Sequence, residues 1–342
     1  GLSGSDPAAE SVRSGGDQCA ADAVVTRGHA SDASTTRDAT GWVGTDPQIT
    51  PKHDVGYQIR SKWVPNMWRS GMSSGMLTYL TSISVYAPGE NLSWNPYMPD
   101  FGYQDQIGLM PRWDCMYLVG LGHPTAYKAV LAGARAINSY SHSYADKTTF
   151  GPIKIDAYPR YSGYGYNGGS LAHETTKKGD GTTSLTWEYA HHGLPAYLAA
   201  TLTGEYYFEE TLQHGARMIY LCNSLNEGLG VNRDVHGQNR ARAWGIESIG
   251  AACAALPDRL NTEFGEIKTW LDNLVTLREA AYRNDGSSPA WFLGMEDLFG
   301  NRTAGNGSHS QSGTLCAGTA WWEHDFNAAA WSFINIAGLA GW

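Results

Sequence analysis

From residue 105 onward, apolar positions recur with the spacing of amphipathic helices, and they come as paired segments divided by short Gly or Pro breaks. The first pair, IGLMPRWDCMYLVGLGHPTAYKAVLAGARAINSY, breaks at Gly120 to Pro124, and its second segment sets Tyr127, Val130, Leu131, Ala134 and Ile137 on one face. A second pair, HHGLPAYLAATLTGEYYFEETLQHGARMIYLCNSL, breaks at Thr203-Gly204. The third, RARAWGIESIGAACAALPDRLNTEFGEIKTWLDNLVTLREAAY, breaks at Leu256-Pro257-Asp258, where Pro stops one helix and Asp258 is placed to cap the next. A fourth begins at WWEHDFNAAAWSFINIAGLAGW, and the chain stops inside it. The pattern predicts an all-α domain of repeated helical hairpins over residues 105–342, ended within a hairpin.

The first segment of each pair is apolar and rich in small residues, whereas the second carries charges such as Glu209, Glu210, Arg217, Glu266, Lys268 and Asp272. That asymmetry predicts an inner layer of first helices backed by an outer layer of second helices. Long polar stretches at 141–186, 225–238 and 285–320 lead into the starts of the first helices from one end, and loops of such length are commonly functional. Residues 1–104 lack the helical period. The Gly-, Ser-, Thr-, Asp- and Ala-rich stretch up to about 70 reads as an extended arm without its own core, followed by one short helix between Ser70 and Tyr86 and then by irregular chain.

Composition narrows the function. A hydrophobic fraction of 42% with 17% charged residues describes a chain able to bury a core, and no apolar run reaches the roughly 20 residues of a membrane span. The formal net charge of −9 argues against nucleic acid, which is bound through clustered Lys and Arg; a polyanionic partner needs a local basic pocket. The five cysteines are widely spaced, and Cys115, Cys222 and Cys253 lie on apolar helical stretches as expected of buried thiols. No cofactor is implied. The histidines lack the His-x-x-x-His spacing of a helical zinc site, so no metal site is expected from His191, His192, His324 and Asp325.

Because each long loop delivers the chain to the start of a first helix, the residues at those starts are expected to converge. They form four groups: Arg112, Trp113 and Asp114; Trp187, Glu188, Tyr189, His191 and His192; Asp234, His236, Asn239, Arg240, Arg242 and Glu247, with Trp244 on the same segment; and Trp321, Trp322, Glu323, His324 and Asp325. Helix starts also favour an anionic ligand group. Glu188 near His191 or His192 can act as proton donor or base; equally, Glu188 can cap its helix and His191 can satisfy a buried hydrogen bond. Arg240 and Arg242 cannot share a helical face, so at most one points at a given ligand. An Arg aimed into a cleft clamps a carboxylate, and the alternative is a structural pair with Asp234 or Glu247. The loop YPRYSGYGYNGG places Tyr164 and Tyr166 where they can stack on a sugar or pack on the outer wall.

The segments IGLMPRW, AHHGLPAYLAATLTGEYYFEE, RARAWGIESIGAACAALPD and WWEHDFNAAAWSF resemble repeats of the six-hairpin (α/α) toroids found among glycoside hydrolases and polysaccharide lyases. The resemblance covers about residues 105–342 and is architectural. It implies an oligo- or polysaccharide partner, and a ring that is open or incomplete here, its remaining wall supplied by the arm or by another subunit. For a lyase it implies a Tyr or His base with uronate-neutralising groups, from Tyr189, His191, Asn239 and Arg240. For a hydrolase it implies Glu188 with Asp114 or Asp325. Substrate contacts are expected from Arg112, Trp113, Tyr164, Tyr166, Trp187, His192, Trp244, Trp322 and His324. A secreted or cell-surface setting is expected from the aromatic richness, the low Lys content and the carbohydrate resemblance. The alternative expectation is a non-catalytic structural or binding subunit of a larger assembly, since fold does not establish activity.

Overall fold

The computed structural model describes residues 24–31, 36–43, 51–94, 108, 110–161, 176–177, 184–185, 187, 191–193, 196–223, 228–235, 239–255, 265–284 and 321–336. Side chains are described for these except 24–43, 176–185, 239–240, 278–284, 321–325 and 336. The chain divides into two units, Gly1–Pro51 and Lys52–Trp342.

In the first unit, β1 (Val24–Ser31) pairs antiparallel with β2 (Thr36–Val43), in a register running from Val24 opposite Val43 to Ser31 opposite Thr36. The β-branched residues at the open end, Val24, Val25, Thr26, Thr40 and Val43, favour extended backbone.

The second unit is helical, apart from one short antiparallel pair, β3 (Thr176–Lys177) with β4 (Ser184–Leu185). Its helices are α1 (Val55–Arg60), α2 (Ser74–Ser82), α3 (Arg112–Val119), α4 (Pro124–Ala136), α5 (Tyr197–Thr203), α6 (Tyr206–Cys222), α7 (Asn239–Ala254), α8 (Glu266–Asn284) and α9 (Trp321–Ile336). Asp54 caps α1 by accepting from the Tyr57 N–H, and Ser73 caps α2 by accepting from the Met76 N–H. The breaks read from the sequence fall where Pro and Gly place them. His123 Nδ1 and Pro124 start α4, and Gly204, at φ +64°, ends α5 in the left-handed region where a side chain is strained. The third break and its Asp258 cap lie outside the described residues. Val55, Val64, Leu80, Ile83 and Trp94 belong to the same core as Trp113, Tyr117 and Trp244, within the unit that begins at Lys52.

α7 is the axis of this core. Every residue from Ala241 to Ala252 is buried, and the small residues Ala243, Gly245, Gly250 and Ala251 let neighbouring helices approach closely. A Cβ at Gly245 would stand 3.1 Å from Ile219 of α6, and Gln213 of α6 donates to the Ala252 carbonyl at 2.9 Å, so α6 and α7 are antiparallel. Trp244 meets Phe326 of α9 at 4.6 Å, and a Cβ at Gly250 would stand 2.9 Å from Ile334, so α7 and α9 are parallel. α7 and α9 therefore begin at the same end.

α8 behaves as an outer helix, with Ile267, Trp270, Leu271 and Leu274 buried and Asp272, Thr276 and Leu277 exposed. α6 does not. Its charged and polar side chains Glu209, Gln213, His214 and Arg217 are buried, because the segment after α4 lies across it. Arg217 donates through Nε to the Ile153 carbonyl at 2.7 Å and pairs with Glu266 of α8 at 2.9 Å, while Glu266 accepts from the Asp156 N–H at 3.2 Å. Arg233 donates to the carbonyls of Gly228, Pro159, Tyr161 and Tyr220, and its guanidinium lies 4.2 Å from the Tyr220 ring. These two arginines fasten the loops that close over α6. No helix of the described residues is long and apolar enough to cross a membrane.

Candidate functional site

Trp113, Trp187, His192 and Trp244, from three of the four sequence groups, belong to one continuous set of contacts. Trp113, in the first turn of α3, sets its ring edge-on to Trp94 at 5.1 Å, and Trp94 in turn meets His192 at 6.0 Å. His192 also contacts Tyr140 at 4.6 Å and Trp187 at 5.0 Å, and His142 stacks on Trp187 at 5.0 Å. The next residue, Gly193, lies directly against Trp244 of α7, since a Cβ there would fall 2.0 Å from the indole Cε3. Trp244 carries the contact on to Phe326 in the second turn of α9. Glycine is required at two of these joints. At Gly133 a Cβ would stand 2.6 Å from Trp113 Nε1, which is what brings α3 against α4 and leaves the Gly133 carbonyl free to accept from Trp94 Nε1 at 2.8 Å.

Burial raises the pKa of two carboxyls on these helices, Asp114 of α3 and Glu247 of α7, well above their ordinary values through desolvation. Neither oxygen of Glu247 finds a hydrogen-bond partner among the described residues. Both carboxyls act on the same thiol: Cys115 is pushed up to about 12, first by burial and then by the negative charge of Asp114, with a further contribution from Glu247. Asp114 in the first turn of α3 and Glu247 in the middle of α7 are each buried, in a low-dielectric setting. A protonated carboxyl there donates as well as accepts, the property required of a general acid.

Trp113, Trp187 and Trp244 are only 2%, 2% and 0% exposed, so protein covers their ring faces. His191 is also buried. Arg112 lies over the Tyr79 ring of α2 at 4.3 Å. Arg242 is buried and donates to the Val235 carbonyl at 3.3 Å, which uses it to hold the loop before α7. Glu188, Tyr189, Tyr164 and Tyr166 lie outside the described residues. Asn239, Arg240, Trp322, His324 and Asp325 lie on the described backbone of α7 and α9, with their side chains outside the description. Among the described residues no group of three His, Cys, Asp or Glu side chains is placed to hold a metal ion. Trp94, Tyr140 and His142 were not picked out from the sequence. They sit in irregular chain after α2 and after α4, where no periodicity marks a residue as buried.

His142 and His214 are both lowered to about 4, first by burial; each is therefore neutral in the folded chain at pH values where an exposed histidine is protonated. The unfolded chain binds the extra protons below its own value near 6.5, so these groups stabilise the fold above that pH and lose their contribution as pH falls toward 4. The raised carboxyls work in the opposite sense, since their contribution declines as pH rises above the unfolded carboxylate range. Replacing His142 by Phe keeps a ring on Trp187 and removes the titration. Urea unfolding should then show the variant gaining about 3 kcal/mol on the native protein between pH 6.5 and 4. A constant difference across that window would show that His142 does not stay neutral.

The chain has no match among protein-family models, among curated proteins or among solved structures.

Proposed function

We propose that this protein binds an oligo- or polysaccharide at the end where its first helices begin and cleaves it there, on an (α/α) hairpin scaffold of the toroid kind. The observation that carries this reading is the run of contacts from Trp113 through His192 and Gly193 to Trp244 and Phe326. It joins residues from four separate hairpins at one place. The parallel course of α7 and α9 adds support, because helices of an inner layer must start together for their loops to shape a common cleft.

In this reading Asp114, whose pKa burial raises, gives its proton to the glycosidic oxygen. For elimination, His191 or Tyr189 removes the proton next to a uronate carboxylate while Asn239 and Arg240 offset the charge that develops. For hydrolysis, Glu188 or Asp325 partners Asp114 as base or nucleophile. A secreted or surface location goes with such a substrate. The test is to incubate the purified chain with a panel of neutral and uronate-containing polysaccharides. Release of oligosaccharides supports the reading, a rise in ultraviolet absorbance from unsaturated ends identifies elimination, and absence of products across the panel counts against it.

The burial of Trp113, Trp187 and Trp244 favours a second reading, in which the cluster is packing and the chain is a non-catalytic subunit completed by neighbours. That reading expects aggregation or partial folding of the isolated chain. A stable, monodisperse monomer contradicts it.

A further inference from the structure

The other end of α3 carries a different arrangement. Beside its C-terminal turn, about 12 Å along the helix from Arg112 at 1.5 Å per residue, lies an open cleft of ≈ 480 Å³ lined by Lys52, His53, Asp54, Arg60, Arg69 and Leu121, among others. Three permanent cations face one carboxylate there, on a chain whose formal net charge is −9. The two guanidinium groups converge. Arg60 Nη1 and Arg69 Nη1 lie 3.1 and 3.4 Å from the point where a Cβ on Gly56 would stand, with Asp54 Oδ1 3.0 Å from it. Asp54 is already engaged by the Tyr57 N–H, and its pair with Arg60 is long, at 3.7 Å, with both side chains more than two-thirds exposed. Such an exposed pair holds the arginine weakly. Lys52 and Arg69 have no carboxylate partner among the described residues, and His53 Nε2 is buried without a hydrogen-bond partner among them. The segment is fixed to the body, because the Tyr197 hydroxyl donates to the Trp63 carbonyl at 2.7 Å and the Gly71 N–H donates to the Val119 carbonyl at 3.0 Å. Large aromatics stand in sequence beside the basic residues, with Trp68 86%, Tyr57 64% and Trp63 46% exposed.

We propose that this cleft binds the oxyanion groups, carboxylate or sulfate, of an anionic saccharide, with the exposed aromatic side chains of the same chain segment, Tyr57, Trp63 and Trp68, available for the sugar rings. Arg supplies paired donors matched to such groups, and aromatic faces suit sugar rings. The saccharide part rests on the function proposed above, and the oxyanion part on the cleft alone. The experiment is calorimetric titration of the intact chain with an oligouronate, a sulfated oligosaccharide, a neutral oligosaccharide of equal length and inorganic sulfate, at low and high salt. The expected result is that one or both charged saccharides bind at least tenfold more tightly than the neutral one, more weakly as salt rises. The double variant Arg60→Gln/Arg69→Gln should lower that affinity by about tenfold or more, with an unchanged unfolding midpoint, and Trp68→Ala should lower it less. Equal binding of charged and neutral saccharides, or wild-type affinity in the double variant, overturns the proposal. Binding of inorganic sulfate with none of either saccharide overturns its saccharide part. Loss of binding in the double variant together with no cleavage of any polysaccharide leaves the cleft standing and removes the cleavage reading.

Discussion

Gly193→Ala is expected to destabilise the helical unit by roughly 3 kcal/mol or more, measured by denaturant unfolding. The added methyl would fall 2.0 Å from Cε3 and 2.5 Å from Cδ2 of Trp244, so something must shift. The obstacle is a fully buried indole rather than the end of a flexible chain, and that indole is itself held by Phe326 at 4.6 Å. Retreat of the ring pushes on α9; retreat of the backbone pulls His192 out of its contacts with Trp94, Tyr140 and Trp187. Shortening the ring in the double variant Gly193→Ala/Trp244→Phe should recover part of the loss, giving a coupling energy above about 1 kcal/mol. An alanine variant within about 0.5 kcal/mol of the native protein would mean that Gly193 and Trp244 are not in contact.

Arg217→Met should cost about 3–5 kcal/mol, because it leaves the Glu266 carboxylate nearly buried with, among the described residues, only the Asp156 N–H to answer it. The Ile153 carbonyl also loses its donor, which loosens the segment that covers α6. Neutralising the orphan in Arg217→Met/Glu266→Gln should return a substantial part of the stability, since the amide oxygen still accepts from Asp156 and no charge is stranded. Equal stability of the single and double variants would show that the loss comes from side-chain packing alone.

Local chemistry made the hairpins legible, and long-range covering decided what was not. The breaks at Gly120 to Pro124 and at Thr203-Gly204 lie where a proline start or a left-handed glycine ends a helix, so the residues beside them suffice. The division of layers was only partly readable: the charges of α6 look like those of a surface helix until the 153–161 segment and Arg233 are seen to close over them. The β1–β2 hairpin was missed because Gly28, Ala30, Asp38 and Ala39 interrupt any alternation, while its ladder needs only the backbone register. α1 was missed for its length of six residues, though Asp54 is a standard cap.

For the candidate site, Trp113, Trp187, His192 and Trp244 are read from the sequence as residues near helix starts; the structure links Trp113 to His192 and Trp187 through Trp94 and reaches Trp244 through Gly193, with Trp187 and His192 in the chain before α5. Arg112 was picked out on the same ground and lies on Tyr79 instead, since side-chain direction depends on which neighbour stands across the turn. Glu247 is read from the sequence only as a structural partner for an arginine; its complete burial in the middle of α7 is something sequence spacing does not report.

The most direct test of the account compares native protein with Asp114→Asn, His191→Ala and Glu188→Ala on whichever polysaccharide the native chain cleaves. Asn has nearly the shape of the buried Asp114 side chain and cannot supply an acid proton. The account predicts that Asp114→Asn keeps its fold and loses roughly 10²–10⁴-fold in kcat/KM. Unchanged kcat/KM in all three variants would place the chemistry elsewhere and contradict the account.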